Sequence, residues 1–274
     1  MVSPDFHWRT KLAACLLILA SLSTVRAQGW ESTVSPYAPG SFLQLRPQRA
    51  SYGFGWNGIT AATAEIRLSN TPDGHLQLEA TGHTTSVARS LWSFDVTHVS
   101  TTDAHTLRPM QVRETEVVRS KKVETEVSFT PQNVTSKREE KRGSSVKSKT
   151  RHFDLPNIHS IDSALLYLRS QSLKPDVVQR IVVYPATSAY LCTVTSAGRD
   201  HITVPAGSYD AIKLDLQLNK IGGKRDLQPH KKFRRATVWL SDDSDRLVLR
   251  IEAQIFAGTV FTELQSVQFD EGKP

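Results

Sequence analysis

The chain has 274 residues, of which 39% are hydrophobic and 8% aromatic, a composition typical of a folded protein that excludes wholesale disorder. Its formal net charge is +7, but no aromatic platform interleaves these charges, so a nucleic-acid partner is not expected. Beyond the first 27 residues the only cysteine is Cys192. We therefore expect no internal disulfide, and a buried, small apolar role for this residue.

Residues 1–27 have the parts of an export signal. Basic residues precede an apolar run over residues 13–22, and Val25-Arg26-Ala27 offers a small-x-small cleavage site. The run is too short for a membrane span, which predicts an exported protein of the periplasm or cell envelope with no transmembrane span after cleavage. Cys15 lies in the lipobox-like segment Leu12-Ala13-Ala14-Cys15, at the start of the apolar run, whereas a lipobox should follow the run, so a lipid anchor there is not expected. The alternative that the signal is retained as an uncleaved membrane anchor stays open.

The first strands follow an aperiodic segment. Residues 28–47, with several prolines, are predicted to form a flexible N-terminal arm. Apolar and polar residues then alternate over 62–69 and 76–81, on either side of the turn residues 70–74. Such a pattern predicts an antiparallel hairpin with one dry face and one wet face, and residues 92–97 continue it.

Two segments carry nearly all of the excess positive charge. Residues 108–152 hold twelve Lys and Arg against six Glu, and residues 220–235 hold seven against one Asp. We expect an exposed basic excursion at about 130–152, with a tip near Gly143. Such patches can bind anionic surfaces of the cell envelope. The alternative is that charge on protruding hairpins only keeps the protein soluble. The candidate anionic-surface residues are Lys137, Arg138, Lys141, Arg142, Lys147, Lys149, Lys231, Lys232, Arg234 and Arg235.

One helix is predicted at about residues 160–171. Ser160 can cap it, and Asp162 lies in the first turn, where the helix dipole favours an anion. Ile161, Leu165 and Leu168 are spaced to form one apolar face, and Lys174-Pro175 follows the end of the helix. A single amphipathic helix among strands is typical of a plug or cap on a curved sheet.

The second half returns to strands. Alternation or short apolar runs recur from Val178 to Phe269, without a repeat and without the strand–helix rhythm of a parallel sheet. The predicted fold is therefore mainly β, a curved antiparallel sheet or partly open β-barrel with one amphipathic helix. The predicted organisation is a single β domain over residues 48–269, followed by a tail over residues 270–274.

No sequence motif indicates a particular chemical activity. Metalloprotease, serine-hydrolase, phosphate-loop and zinc-cysteine signatures are missing. The Ser-x-x-Lys pattern of Ser144 and Lys147 lies in a charged stretch with no helical period, and the aspartates at 242, 243 and 245 lack the glycine and glutamate of a calcium loop. We therefore predict no enzyme activity, no catalytic residues, no metal and no cofactor. A hydrolase whose site assembles from distant residues stays open.

The aromatic residues allow a second kind of site. A barrel mouth commonly holds ligands, and a concave cavity could be lined by Trp56, Trp92, Tyr167, Trp239 and the polar handle Arg169. The alternative is that these side chains simply fill the core between sheet and helix.

Five short sequence segments together indicate a family. They are Tyr52-Gly53-Phe54 before Ala61-Ala62-Thr63-Ala64, Thr106-Leu107-Arg108-Pro109, the run from Asp162 to Arg169, the run from Val204 to Lys213, and Val238-Trp239-Leu240-Ser241-Asp242-Asp243. In this order they resemble the bacterial exported family known as domain of unknown function 3108, over about residues 48–269. The basic stretch from Lys137 to Thr150 departs from the family pattern.

The resemblance implies a Gram-negative-type envelope protein with a curved β-sheet and carries over no established activity. A looser analogy is to periplasmic lipoprotein carriers, whose half-open barrels hold acyl chains under a helix, and fold likeness alone does not establish function. We therefore predict a non-catalytic periplasmic binding protein for a lipid-like or other apolar ligand. The alternatives are an envelope scaffold that uses its basic hairpins or a sheet edge, and the hydrolase named above.

Overall fold

A computed structural model describes residues 29–42, 45–230, 235–255 and 257–270. The predicted export signal with Cys15, the candidates Lys231, Lys232 and Arg234, and most of the predicted tail lie outside the described residues. The chain divides into two units. The first, Met1–Val34, contains a short 3-10 helix at Trp30–Thr33, and the second, Ser35–Pro274, contains every strand among the described residues.

The second unit contains sixteen described strands and two α-helices. The helices are α1 (Ser86–Leu91) and α2 (Ile161–Ser170). The strands are β1 (Gln48–Trp56), β2 (Ile59–Asn70), β3 (His75–Thr84), β4 (Phe94–Asp103), β5 (Pro109–Val118), β6 (Lys121–Phe129), β7 (Asn133–Arg142), β8 (Ser145–Asp154), β9 (Ile158–His159), β10 (Val178–Val183), β11 (Tyr190–Val204), β12 (Gly207–Ile221), β13 (Leu227–Pro229), β14 (Arg235–Ser241), β15 (Val248–Ile255) and β16 (Gly258–Phe269).

All sixteen strands belong to one sheet. Its order is β8-β7-β6-β5-β4-β3-β2-β1-β16-β15-β14-β12-β11-β10-β9, with β13 paired to β12. Every pair is antiparallel except the short contact of β9 with β10. The mainly β, curved antiparallel fold predicted from the alternation is confirmed. The helix α1 is an addition that the periodicity did not reveal.

The sheet is strongly curved. Tyr184 directly follows β10, near one edge of the sheet, yet its hydroxyl lies 3.1 Å from that of Ser136 on β7. Its ring centroid is 6.3 Å from that of Phe153 on β8, the other edge strand. The sheet therefore curls until strands near its two edges approach each other, as in a partly open barrel.

The helix α2 begins as the sequence predicts. Ser160 accepts a hydrogen bond from the backbone N–H of Ser163, whose hydroxyl in turn accepts one from the backbone N–H of Ser160, a complete capping box. The predicted apolar face is wrong at its first position, because Ile161 is 51% exposed. Instead the helix is buried on nearly all sides beyond its first turn, because the curved sheet covers more than one of its faces.

The core lies between α2 and the concave side of the sheet. Tyr167 and Leu168 pack with Leu214 of β12 and Leu240 of β14, whereas Leu166 packs toward β2 and β3 in a second cluster. Cys192 is buried in the first of these clusters, as predicted. None of the helices in the described part of the chain is long and apolar enough to cross a membrane.

Candidate ligand groove

An apolar groove opens beside α1, at one end of the central strands of the sheet. It has a volume of about 490 Å³ and is lined by residues of β1 to β4, β15, β16 and α1. The antiparallel register aligns Phe54 with Ala62 on β2 and with Thr262 on β16. Thr262 is in turn aligned with Ile251 on β15. Cross-strand partners share a face of the sheet, so these residues form one continuous row across four strands.

Small side chains create the space in the groove. Ala64 is aligned with Gly82, and Gly82 with Val96, one row deeper. A methyl group built on Gly82 would lie 3.1 Å from Cγ1 of Val96 and 3.2 Å from Cβ of Ala64. Gly82 therefore packs closely against its neighbours, and the absence of a side chain there keeps the groove open.

The walls of the groove are almost entirely carbon. Phe54, Phe94 and Val96 contribute side chains from β1 and β4, and Ile251 contributes one from β15. The hydroxyl of Thr262 is a buried polar exception, and its Oγ1 has no hydrogen-bond partner among the described residues. A site of this kind can take an apolar body.

Two tryptophans lie at the opening of the groove. Trp56 and Trp92 are 47% and 54% exposed, and the ring of Trp92 lies 5.6 Å from that of Phe94. The indole of Trp56 donates a hydrogen bond to the carbonyl oxygen of Ala257, 3.0 Å away. The adjoining residues Asn57 and Gly58 have φ angles of 46° and 82°, the signs required of a two-residue type I′ hairpin turn.

The helix α1 forms one side of the opening. The hydroxyl of Thr84 accepts a hydrogen bond from the backbone N–H of Phe94 and donates one to the carbonyl of Trp92, which closes the connection between β3 and β4. Arg89 and Asp95 form a bidentate pair at 2.9 and 3.1 Å. These bonds fix α1 with Ala88 against the groove.

Exposed apolar side chains continue outward from the opening. Ile59, Val87 and Leu91 are each about 70% exposed. Together with the two tryptophans they form what we call the apolar rim, consisting of Trp56, Ile59, Val87, Leu91 and Trp92. Large exposed apolar side chains gathered around one opening commonly mark a site of interaction.

The structure separates the five predicted lining residues into two groups. Trp56 and Trp92 meet at the groove. Tyr167 and Arg169 of α2 and Trp239 of β14 are buried elsewhere, in the core. The Tyr167 hydroxyl donates to the carbonyl of Pro36, Arg169 Nη2 donates to the carbonyl of Asp245, and Trp239 Nε1 donates to Asp200, at 3.2, 2.8 and 3.2 Å.

The predicted anionic-surface residues lie mainly on the β7–β8 hairpin. Arg138 pairs with Glu116, and Lys141 with Glu124 and Glu139. The remaining hairpin candidates have exposed side chains; they are Lys137, Arg142, Lys147 and Lys149. Arg235, on β14, pairs with Asp215.

Two histidines have shifted pKa values. His98 Nδ1 lies 3.0 Å from Glu114, and its Nε2 lies 3.0 Å from Asp162 of α2. Burial alone would lower the pKa of His98, but these hydrogen bonds outweigh burial and raise it to about 10. Burial lowers the pKa of His159 to about 3. His98 is therefore a charged link between sheet and helix, and His159 is a neutral ring stacked on Tyr37.

No metal site is evident in the part of the chain that the structure describes. No group of three or more His, Cys, Asp or Glu side chains there is arranged to hold an ion. Cys192 is buried, and burial raises the pKa of its thiol to about 12, so it is not a reactive nucleophile.

Most of the groove was not predicted from the sequence. Its walls include Phe54, Phe94 and Ile251, and its space depends on Ala62, Ala64 and Gly82. The sequence signal for the groove is the run Ala61-Ala62-Thr63-Ala64, because small side chains on the apolar face of a strand leave unfilled space next to that face. Which residues face that volume depends on strand register, and the periodicity of a single strand does not contain it.

The fold and groove define a mainly β protein, a partly open barrel-like sheet with an apolar site at one end. The chain belongs to the family described as "Protein of unknown function (DUF3108)", whose model matches residues 49–265. The suspected family is thereby confirmed. No curated protein has a matching sequence.

Solved structures share the fold at low sequence identity. A β-barrel-like protein of domain of unknown function DUF1849 from Brucella abortus is 11% identical with a TM-score of 0.56, over 83% of this chain and 99% of that one. A protein from Bacteroides fragilis, inferred to be exported and with a YmcC-like fold, is 8% identical with a TM-score of 0.35, over 85% and 98% of the two chains. The first likeness supports the barrel-like fold.

Proposed function

We propose that the protein is a non-catalytic binding protein of the periplasm or cell envelope that holds one lipid-like apolar chain in the groove. The observation that carries this proposal is the groove itself, about 490 Å³ of space between carbon walls with an open end. That volume lies within the range of small-molecule sites. The predicted export signal supports the location.

The energetics favour an acyl-type ligand. Each methylene transferred from water to an apolar site contributes about 0.8 kcal/mol, which corresponds to about a fourfold gain in affinity. Affinity should therefore rise with chain length until the groove is full and then level off.

Catalysis is not part of the proposal. The Thr135 hydroxyl lies 2.7 Å from His152 Nδ1, and His152 Nε2 lies 3.2 Å from Asp154, an order resembling a catalytic triad. The side chains of His152 and Asp154 are 55% and 75% exposed on the β7–β8 hairpin. Water surrounds this arrangement, whereas acyl transfer needs a walled site with donors for the developing oxyanion.

Displacement of a fluorescent fatty acid by saturated fatty acids of increasing length tests the function. The variant Ala62→Phe places a ring in the groove row beside Phe54, and its matched control is Thr81→Phe, on the exposed face of β3. We expect Ala62→Phe to weaken probe binding by at least about tenfold and Thr81→Phe to leave it unchanged. Equal binding by both variants, with unchanged circular dichroism, would refute the proposal.

A further inference from the structure

We propose that the apolar rim docks on an anionic phospholipid bilayer, so that the groove opens directly toward the membrane. This inference rests on the proposed function. Docking on a membrane would give a poorly soluble acyl ligand a route into and out of the groove. The observations that carry it are the exposure of the rim and the position of basic residues beside it.

The rim has the composition of a membrane-contacting surface. Val87 and Leu91 are four residues apart on α1, so they lie on one side of the helix, and both are more than 70% exposed. Ile59 projects from the start of β2 with similar exposure. The two tryptophans beside them have the amphipathic side chains that favour the boundary between lipid headgroups and acyl chains.

Basic residues adjoin the rim. Arg119, in the turn between β5 and β6, donates through Nη2 to the carbonyl of Leu91 at 2.9 Å. Its backbone N–H donates to the carbonyl of Ser93, so this turn touches the connection that contains α1. Arg142 is aligned with Lys121 beside the β7–β8 turn and adds a second exposed arginine.

The charges beside the rim favour an anionic partner. Arg119 and Arg142 are exposed, and neither forms an ion pair within the described ranges of the chain. The nearby carboxylates are already neutralised, since Asp95 pairs with Arg89 and Glu140 pairs with Lys121. Basic side chains beside an inserted apolar patch attract anionic lipid headgroups. A neutral apolar partner would leave the positive charges of these two arginines without a counter-charge.

Co-sedimentation with vesicles tests the docking surface. The vesicles contain phosphatidylglycerol and phosphatidylcholine in equal amounts, or phosphatidylcholine alone. We expect the double variant Val87→Glu with Leu91→Glu to lower binding to the mixed vesicles by at least tenfold. The matched control is Met110→Glu, an exposed apolar residue at the far end of β5, which should bind as the unmodified protein does.

The basic flank is tested separately. Arg119→Gln with Arg142→Gln should lower binding to the mixed vesicles about tenfold or more, since each basic residue near the surface contributes about fivefold. Binding to pure phosphatidylcholine should change little. Ile59→Ser provides an independent rim variant on another element, should a change in α1 disturb folding.

Two readouts separate this inference from the proposed function. Val87 and Leu91 do not line the groove, so their double variant should still bind the fluorescent fatty acid in solution. Ala62→Phe should lose the fatty acid and still sediment with mixed vesicles. Undiminished sedimentation of the folded rim variants would overturn the docking proposal. So would a dimer that the rim variants abolish, because it would assign the rim to a second copy of the chain.

Discussion

The hydrogen-bonded group of Glu114, His98 and Asp162 joins α2 to the sheet, and the variant His98→Gln tests its contribution to stability. The folded-state pKa of His98 is about 10, against an ordinary value of 6.5. A raised pKa means that the folded protein binds the proton more tightly than the unfolded chain does. The stabilisation is therefore fully present below about pH 6.5 and is lost as the pH rises toward 10.

The magnitude follows from the same two values. Between pH 6.5 and pH 10, the free energy of unfolding falls by up to about 1.4 kcal/mol for each pH unit. The His98 side chain is 18% exposed, and solvent screens part of this interaction. We therefore expect the free energy of unfolding to fall by about 2 kcal/mol between pH 7 and pH 9.

Urea unfolding at pH 7, 8 and 9 measures this change. His98→Gln should lose most of the pH dependence, and at pH 7 it should be less stable by about 3 kcal/mol, because it leaves two partly buried carboxylates without their cation. His105→Gln, in an exposed turn, is the control and should keep the slope of the unmodified protein. An unchanged slope in His98→Gln would show that other groups cause the pH dependence, and would refute the role of His98.

Three further predictions concern the fold. Leu214→Ala should lower the free energy of unfolding in urea by about 3 kcal/mol, since Leu214 is fully buried between sheet and helix; a loss below 1 kcal/mol would contradict that packing. Ser160→Ala should cost about 1 kcal/mol, and Ser160→Thr should restore most of it, because a hydroxyl completes the cap. Cys192 should resist thiol reagents in the folded protein and react after unfolding, because burial raises its pKa to about 12; rapid labelling of the native protein would show that the core opens.

Much of the fold could be predicted from local patterns. The alternation over residues 62–69 and 76–81 corresponds to β2 and β3, and Ser160 caps α2 as its residue type suggests. These features are encoded locally, because alternation reports one wet and one dry face and capping involves residues three apart. The short helix α1 has neither a strong period nor a side-chain cap, and it escaped prediction.

The candidate site depended on information that no single segment contains. Trp56 and Trp92 are far apart in sequence, and the pairing of β1 with β2, β2 with β3 and β3 with β4 brings them to one opening. Tyr167 and Arg169 offered the same side-chain chemistry for a ligand site. The curvature of the sheet buried them instead, since it covers α2 on more than one side.

The amino-acid sequence by itself determined the predicted export signal, the antiparallel strands, the capped helix and the family, because each depends on local composition or on short segments in a fixed order. Only the tertiary structure decided which dry-face residues fill the core and which enclose space. That choice depends on strand register and sheet curvature. Both are properties of many strands together, since each strand supplies alternating faces but not the partners that those faces meet.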